Sequence, residues 1–211
     1  MNVIDSIVTQ AAGIAAVRRD IHAHPELCFE EVRTADVVAQ KLTEWGIPIH
    51  RGLGKTGVVG IVKGRDGGAS GRAIGLRADM DALPMQEFNT FAHASQHHGK
   101  MHACGHDGHT AMLLGAAQLL SQSRDFNGTV CFIFQPAEEH GRGARAMMDD
   151  GLFERFPVDE IYGAHNIPGM PVGHIATREG GIMASEDNFV IRITGRGGHA
   201  ARPHQIGRAH V

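Results

Sequence analysis

The segment Thr129-Val-Cys-Phe-Ile-Phe134, which runs directly into Gln135-Pro-Ala-Glu-Glu139, indicates the fold class of this chain. Its first six residues are β-branched or aromatic except for one cysteine, and this composition is typical of a buried strand. Helical patterns alternate along the chain with similar short apolar segments, as they do in α/β domains. The sequence therefore predicts an α/β fold, a three-layer sheet of mostly parallel strands.

The elements around this strand follow from the spacing of apolar residues and from helix-breaking residues. Apolar residues recur at helical spacing from Ile4 to Ile21, and His24-Pro25 ends that pattern. A second helix is predicted over about residues 31–45, where Gly46 stops it. The other predicted helices span residues 109–121 and 144–150, and the predicted strands span residues 58–63, 73–79, 129–134, 160–164, 173–177 and 188–194.

Composition and charge exclude several classes of protein. Of the 211 residues, 42% are hydrophobic and 20% are charged, which excludes a disordered or collagen-like chain. The formal net charge of −3 provides no basic field for nucleic acid. Three cysteines are too few for a disulfide framework, so a reducing, cytoplasmic location is expected. The longest apolar run, residues 111–120, is too short to span a bilayer, and the first ten residues lack a signal-peptide pattern.

Side chains that bind metal ions or move protons follow the predicted strands at their carboxyl ends, where open α/β sheets bind ligands. Thiolate, imidazole and carboxylate together form the ligand set of zinc and similar divalent ions. A thiolate or a carboxylate can bridge two such ions, and of two adjacent glutamates one can bind metal while the other acts as a base. The residues concerned are Asp79, Asp81, Cys104, His106, Glu138, Glu139 and His165.

Each of these residues also has a structural interpretation when it is considered alone. Asp79 could serve a turn, and the pair Glu138-Glu139 could be an exposed charge pair. Cys104 could be a nucleophile beside a histidine, although that mechanism leaves His165 without a role. Six of the 15 histidines lie between residues 93 and 109, and most of these six are interpreted as members of a polar loop. Cys28 and Cys131 are assigned to structure.

Six motifs together resemble a known family, the metal-dependent amidohydrolases related to hippurate hydrolase. This family includes N-acyl-amino-acid, indoleacetyl-amino-acid and N-acetyldiaminopimelate hydrolases, and it is part of the aminoacylase and carboxypeptidase superfamily. The resemblance covers about residues 14–204, and its cysteine-containing segment is highly specific. The motifs are Arg18–Leu27, Gly75–Pro84, His102–His109, Gln135–Glu139, Gly163–Asn166 and Gly197–Ala200.

The resemblance implies a role for each candidate residue. It implies that Cys104, His106, Glu139 and His165 are metal ligands, with Cys104 in a bridging position. Glu138 is then the general base, and Asp81 orients a ligand. His199 matches a histidine that reaches the partner subunit's active site and steadies the substrate carbonyl. Asp79 stands where wider relatives carry a ligand histidine, which leaves its role open.

The resemblance also implies a zinc-exopeptidase-like fold and a domain organisation. A catalytic domain is expected over residues 1–183, and a smaller α+β lid and dimerisation domain is expected to begin at residues 184–205. Family members carry one more metal-binding histidine near their C-terminus, so we expect this chain to be an N-terminal fragment with weak activity or none. The last six residues, 206–211, are expected to be a non-native tail.

The implied activity is hydrolysis of the amide bond of N-acyl amino acids by a metal-activated water. The implied cofactors are two divalent ions, zinc or manganese, with cobalt or nickel as alternatives. The expected partners are a small-molecule substrate and a second copy of the chain, and neither nucleic acid nor membrane. A dipeptidase or carboxypeptidase of the same superfamily, and a catalytically inactive metal-binding fragment, remain the alternatives.

Overall fold

The computed structural model describes residues 5–185, 187, 189–192, 194, 199 and 201. The chain divides into two compact units, residues 1–169 and residues 170–211. All of the helices and strands found among the described residues belong to the first unit. In chain order they are α1 (Asp5–Ala23), α2 (Val32–Glu44), β1 (Ile49–Leu53), β2 (Gly57–Lys63), β3 (Ala73–Asp79), α3 (His106–Ser123), β4 (Thr129–Gln135), α4 (Gly143–Asp149), α5 (Leu152–Arg155) and β5 (Glu160–Gly163).

The five strands form one mixed sheet in the order β1-β2-β4-β3-β5. Strand β3 pairs in parallel with both β4 and β5, whereas β2 pairs antiparallel with β1 and β4. In the parallel pairs Asp79 is level with Gln135, and Arg77 is level with Gly163. The carboxyl ends of β3, β4 and β5 therefore lie along the same edge of the sheet.

Strand β4 lies in the middle of the core because its side chains alternate between two apolar layers. Phe132 and Phe134 are fully buried on one face, in a cluster that includes Leu114 of α3. Ile133 is buried on the opposite face, in a cluster that includes Met147 of α4. Helices therefore cover both faces of the sheet, and the predicted three-layer α/β class is confirmed.

Several predicted boundaries differ from the structure. Helix α3 begins at His106, three residues before its predicted start, because Gly105 adopts a left-handed conformation (φ 89°) that turns the chain into the helix. Strand β1 was not expected, since only Leu53 among its five residues is buried and its pattern is that of an exposed edge strand. The short helix α5 was not expected either.

The second unit contains none of the strands that the sequence predicts there, as far as it is described. Residues 173–177, 189–192 and 194 are exposed and have no strand pairing, whereas residues 188 and 193 lie outside the described residues. A strand needs a hydrogen-bonded neighbour, and an apolar alternating pattern does not supply one. The boundary predicted at residues 183–184 stays a prediction. No helix in the described part of the chain is long and apolar enough to cross a membrane.

Replacing Phe132 by alanine tests whether β4 carries the core. The side chain is fully buried, so Phe132→Ala is expected to lower the free energy of unfolding by about 3–5 kcal/mol. Phe88 is 88% exposed, and Phe88→Ala is expected to change it by less than about 0.5 kcal/mol. Urea unfolding of the two variants measures both values, and equal losses would contradict the central position of β4.

Candidate metal centre

The edge formed by the ends of β3, β4 and β5 collects the chemically active side chains of the first unit. Segments that follow these strands carry Asp81, Glu138-Glu139 and His165, and the start of α3 brings in His106. In each of three groups of side chains, the potential ligand atoms lie within 4.8 Å of one another, and His106 belongs to all three groups. The groups are Cys104-His106-His165, Asp79-His106-His109 and His106-Glu138-Glu139.

His106 is fully buried, and its two ring nitrogens have different surroundings. Nδ1 lies 3.2 Å from Oδ1 of Asp81, and because a carboxylate only accepts, the ring nitrogen donates this hydrogen bond. Nε2 is left without a hydrogen-bond partner, 3.7 Å from Oε1 of Glu139 and 3.8 Å from Oε2 of Glu138. Burial opposes protonation of His106, but the Asp81 hydrogen bond and the nearby carboxylates raise its pKa above the ordinary value.

His165 presents its ring in the same way as His106. Its Nδ1 donates to the backbone carbonyl oxygen of Asn166 at 2.7 Å, and its Nε2 lies 3.4 Å from Sγ of Cys104. Burial, followed by the charges of Glu139 and Glu138, raises the pKa of the Cys104 thiol to about 12. Reactive cysteines have the opposite environment, one that stabilises the thiolate. The surroundings of Cys104 therefore disfavour its thiolate as long as no cation is bound.

Asp81 connects two of these elements. Its Oδ1 accepts from His106, and its Oδ2 accepts the backbone N–H of Glu139 at 3.0 Å. The thiol of Cys28 donates to the same Oδ2 at 3.0 Å, so this cysteine, assigned to structure from the sequence, contacts the carboxylate that holds the site. Burial opposes ionisation of Asp81, yet these hydrogen bonds lower its pKa to about 2.

Asp79 faces the same space through a partner that the sequence did not single out. Its Oδ1 accepts a hydrogen bond from Nδ1 of His109 at 2.7 Å. Nε2 of His109 contacts Asn166 twice, with the side-chain Oδ1 at 2.6 Å and the backbone N at 3.2 Å. His109 thereby connects the end of β3 with the residue after His165. Residues three apart share a helix face. If α3 had been predicted to start at residue 106, the spacing of His106 and His109 would therefore have indicated this contact.

The second unit carries His199, the remaining residue of the predicted site. Its imidazole is exposed, and its Nδ1 accepts the backbone N–H of Ala201 at 3.2 Å. The structure brings the other seven predicted residues together within the first unit. Cys131 is buried in the middle of β4, in agreement with its structural assignment.

The donor set of this cluster is suited to divalent metal ions. Both Nε2 of His106 and Oε1 of Glu139 are buried without a hydrogen-bond partner. Buried polar atoms are nearly always paired, so two unpaired acceptors 3.7 Å apart indicate a site for a cation. The Nδ1 hydrogen bonds of His106 and His165 orient the Nε2 atom of each ring towards the cluster, which is the usual arrangement around metal-binding histidines.

Comparison with known proteins agrees with this chemistry. The sequence profile of peptidase family M20/M25/M40 matches residues 75–206, more than half of the chain. Hippurate hydrolase of Campylobacter jejuni is 47% identical over 205 residues, which cover 97% of this chain and 52% of that protein. N-acetylcysteine deacetylase of Bacillus subtilis is 49% identical over 190 residues, covering 89% of this chain and 49% of the relative.

A solved structure supports the fold as well. The crystal structure of the Bacillus subtilis YXEP protein, described as a dinuclear metal-binding peptidase of the M20 family, is 45% identical to this chain. The similarity has a TM-score of 0.75 and covers 84% of this chain and 48% of that one. The chain thus spans about half the length of the curated relatives that it matches.

Removing the Asp81 carboxylate tests the metal centre. Asp81→Ala leaves His106 Nδ1 and the Glu139 N–H without their acceptor, so the affinity for Zn²⁺ is expected to fall about 10–100-fold. Chelator competition with the purified protein measures this affinity.

The matched control for this variant is Asp66→Ala. The Asp66 carboxylate also has its pKa lowered to about 2, but it accepts backbone N–H groups of Gly68, Ser70 and Gly128 in a loop. The control is expected to keep the wild-type affinity for Zn²⁺. Equal affinities for Asp81→Ala and the wild type would contradict the assignment.

Proposed function

The chain belongs to peptidase family M20/M25/M40, and we propose that it serves in the hydrolysis of amide bonds of N-acyl amino acids. One observation carries the proposal: a partly exposed carboxylate stands beside the proposed ligand cluster. The side chain of Glu138 is 39% exposed, and its Oε2 lies 3.8 Å from the unpaired Nε2 of His106. A base in this position is open to water and substrate, whereas Nε2 of His106 and Oε1 of Glu139 beside it are buried.

The proposed ligands are Cys104, His106, Glu139 and His165. They would hold two divalent ions, zinc or manganese, and Cys104 would contribute its thiolate. Bound metal supplies Lewis acidity and lowers the pKa of a water towards about 7. The donor set favours zinc, since sulfur, nitrogen and oxygen ligands together are typical of it. Metal binding also requires Cys104 to lose its proton, which the surrounding carboxylates oppose in the absence of a cation.

Glu138 is proposed to move the proton of the reaction. One of its carboxylate oxygens accepts a proton from the attacking water and returns it to the nitrogen of the leaving amino acid. General acid–base catalysis of this kind typically contributes about 10²–10⁴-fold to the rate. Asp81 keeps His106 and the Glu139 backbone in place throughout, and Asp79 holds His109 through its Nδ1.

The proposed substrate class, the N-acyl amino acids, is inferred from the relatives. Hippurate hydrolase and N-acetylcysteine deacetylase are both named for cleaving an acyl group from an amino acid, and each shares nearly half of its aligned residues with this chain. The leading alternative is a dipeptidase or carboxypeptidase of the same superfamily. It uses the same metal chemistry and differs in whether the amine of the substrate is blocked.

Further parts of the proposal concern the protein as a whole. We propose that residues 1–183 form a catalytic domain and that residues 184–205 begin a lid and dimerisation domain. In the dimer His199 would steady the substrate carbonyl in the active site of the partner subunit. A reducing, cytoplasmic location is proposed because Cys28, Cys104 and Cys131 are all free thiols.

The proposed general base is tested by Glu138→Gln. The variant keeps the shape of the side chain but cannot take up a proton, so kcat is expected to fall at least 10²-fold while bound metal is unchanged. Cys104→Ala is expected to lose metal instead. Elemental analysis and turnover of N-acetyl and N-benzoyl amino acids are measured on this chain and on any longer product of its gene.

The same measurements separate the alternatives. An unchanged kcat in Glu138→Gln would contradict the assignment of the base. Cleavage of unblocked dipeptides without cleavage of N-acyl amino acids would identify a dipeptidase. Stoichiometric metal without turnover of any substrate, in the longest form, would identify a metal-binding protein that is not an enzyme.

A further inference from the structure

Glu31 is a fully buried carboxylate at the start of α2, outside the cluster of proposed ligands. Burial raises its pKa above the ordinary value, and Glu31 forms no ion pair with another of the described residues. Burial of a carboxyl group without an opposite charge is costly. The hydrogen bonds of Glu31 therefore indicate the role of this buried carboxylate.

Both carboxylate oxygens of Glu31 accept hydrogen bonds, and they join three separate segments. Oε1 accepts the backbone N–H of Phe29 at 2.9 Å and that of Ala137 at 2.8 Å. Oε2 accepts the hydroxyl of Thr56 at 2.6 Å. Residue 137 is 106 positions away in sequence and directly precedes Glu138-Glu139.

The segments that Glu31 joins are conformationally strained. The described part of the chain contains four non-glycine residues with positive φ, and three of them lie at this carboxylate. Phe29 (φ 62°) and Ala137 (φ 49°) donate to it directly, and Lys55 (φ 75°) precedes Thr56. Such conformations disfavour side chains with a Cβ and persist only where the surroundings impose them.

The turn at Ala137 is held from several sides. Ala137 is fully buried, and its carbonyl oxygen accepts the backbone N–H of Gly143. A Cβ on Gly143 would lie 1.5 Å from the carbonyl oxygen of Pro136, so α4 packs too closely on this turn for any larger residue. Asp81 holds the other end of the segment through the Glu139 N–H.

We propose that Glu31 is a positioning residue: by holding Ala137 in the left-handed conformation, it aims the carboxylates of Glu138 and Glu139 into the metal centre. The inference rests on the proposed function for the roles of these two glutamates. A purely structural role for Glu31 would predict general destabilisation with no particular effect at residues 137–139.

Glu26 provides a matched control within the same region. Its carboxylate also accepts two backbone N–H groups, from Arg33 at 2.9 Å and from Thr34 at 2.8 Å. Both of these lie in the first turn of α2, and the side chain has no hydrogen bond to the turn at Ala137. Loss of Glu26 therefore removes a comparable set of hydrogen bonds without releasing the two glutamates.

The experiment measures two properties of the purified chain for Glu31→Ala and Glu26→Ala. The first is hydrogen exchange of the backbone amides of residues 137 and 139, and the second is affinity for Zn²⁺ by chelator competition. Glu31→Ala is expected to accelerate exchange at both amides at least tenfold and to weaken Zn²⁺ binding about 10–100-fold. Glu26→Ala is expected to leave both properties within threefold of the wild type.

A rescue variant distinguishes positioning from general stabilisation. Glycine adopts positive φ readily, so adding Ala137→Gly to Glu31→Ala is expected to recover most of the lost affinity, and adding it to Glu26→Ala is expected to change nothing. Failure of this rescue, or equal exchange at residues 137 and 139 in Glu31→Ala and Glu26→Ala, would overturn the proposal.

Two conservative variants keep the test decisive if Glu31→Ala does not fold. Glu31→Gln retains an oxygen acceptor at full reach, and its affinity and exchange are expected to stay within threefold of the wild type. Glu31→Asp keeps the charge but is one methylene too short, and it is expected to behave like Glu31→Ala. The proposal would be overturned if Glu31→Asp behaved like the wild type while Glu31→Gln behaved like Glu31→Ala. If the wild-type chain binds no Zn²⁺, the proposed function fails, and amide exchange still decides whether Glu31 holds the turn.

Discussion

The parallel pairing of β3 with β4 and β5 is the constraint on which the site depends. Asp79 ends level with Gln135, and β5 ends beside Arg77, so the chain leaves all three strands along one edge of the sheet. Residues separated by more than eighty positions, such as Asp81 and His165, come into one cluster for this reason. Antiparallel strands would have sent alternate connections to opposite edges.

The charge balance at this edge favours the binding of a cation. Asp79, Asp81, Glu138 and Glu139 surround His106, and Arg77 is the cation paired with Asp79. Burial raises the pKa of Glu139, and the negative charges of Glu138 and Asp81 raise it further. Negative charge therefore outweighs positive charge in the cluster, and the proposed divalent ions would supply the charge that its donor atoms lack.

The positions of the proposed ligands were predictable from the sequence to the extent that they follow strands. The alternation of helices and strands predicted the edge, and the motifs around Cys104, Glu138-Glu139 and His165 predicted which side chains meet there. The pairing of Asp79 with His109 was not predictable in this way, because it depends on the residue at which α3 begins. That start is set by the left-handed Gly105, where an added Cβ would lie 2.3 Å from Oδ1 of Asn166.

The sequence by itself determined the α/β class, most element boundaries in the first unit and the residue types of the candidate site, because periodicity and residue type are local properties. The tertiary structure alone decided which oxygen of Asp81 holds which neighbour, that Cys28 contacts this carboxylate, and that Glu31 reaches Ala137. These contacts join segments distant in sequence, and no local pattern encodes them. The strands expected after residue 170 show the same limit from the other side: the described residues there have no strand pairing, and a strand requires a partner as well as a pattern.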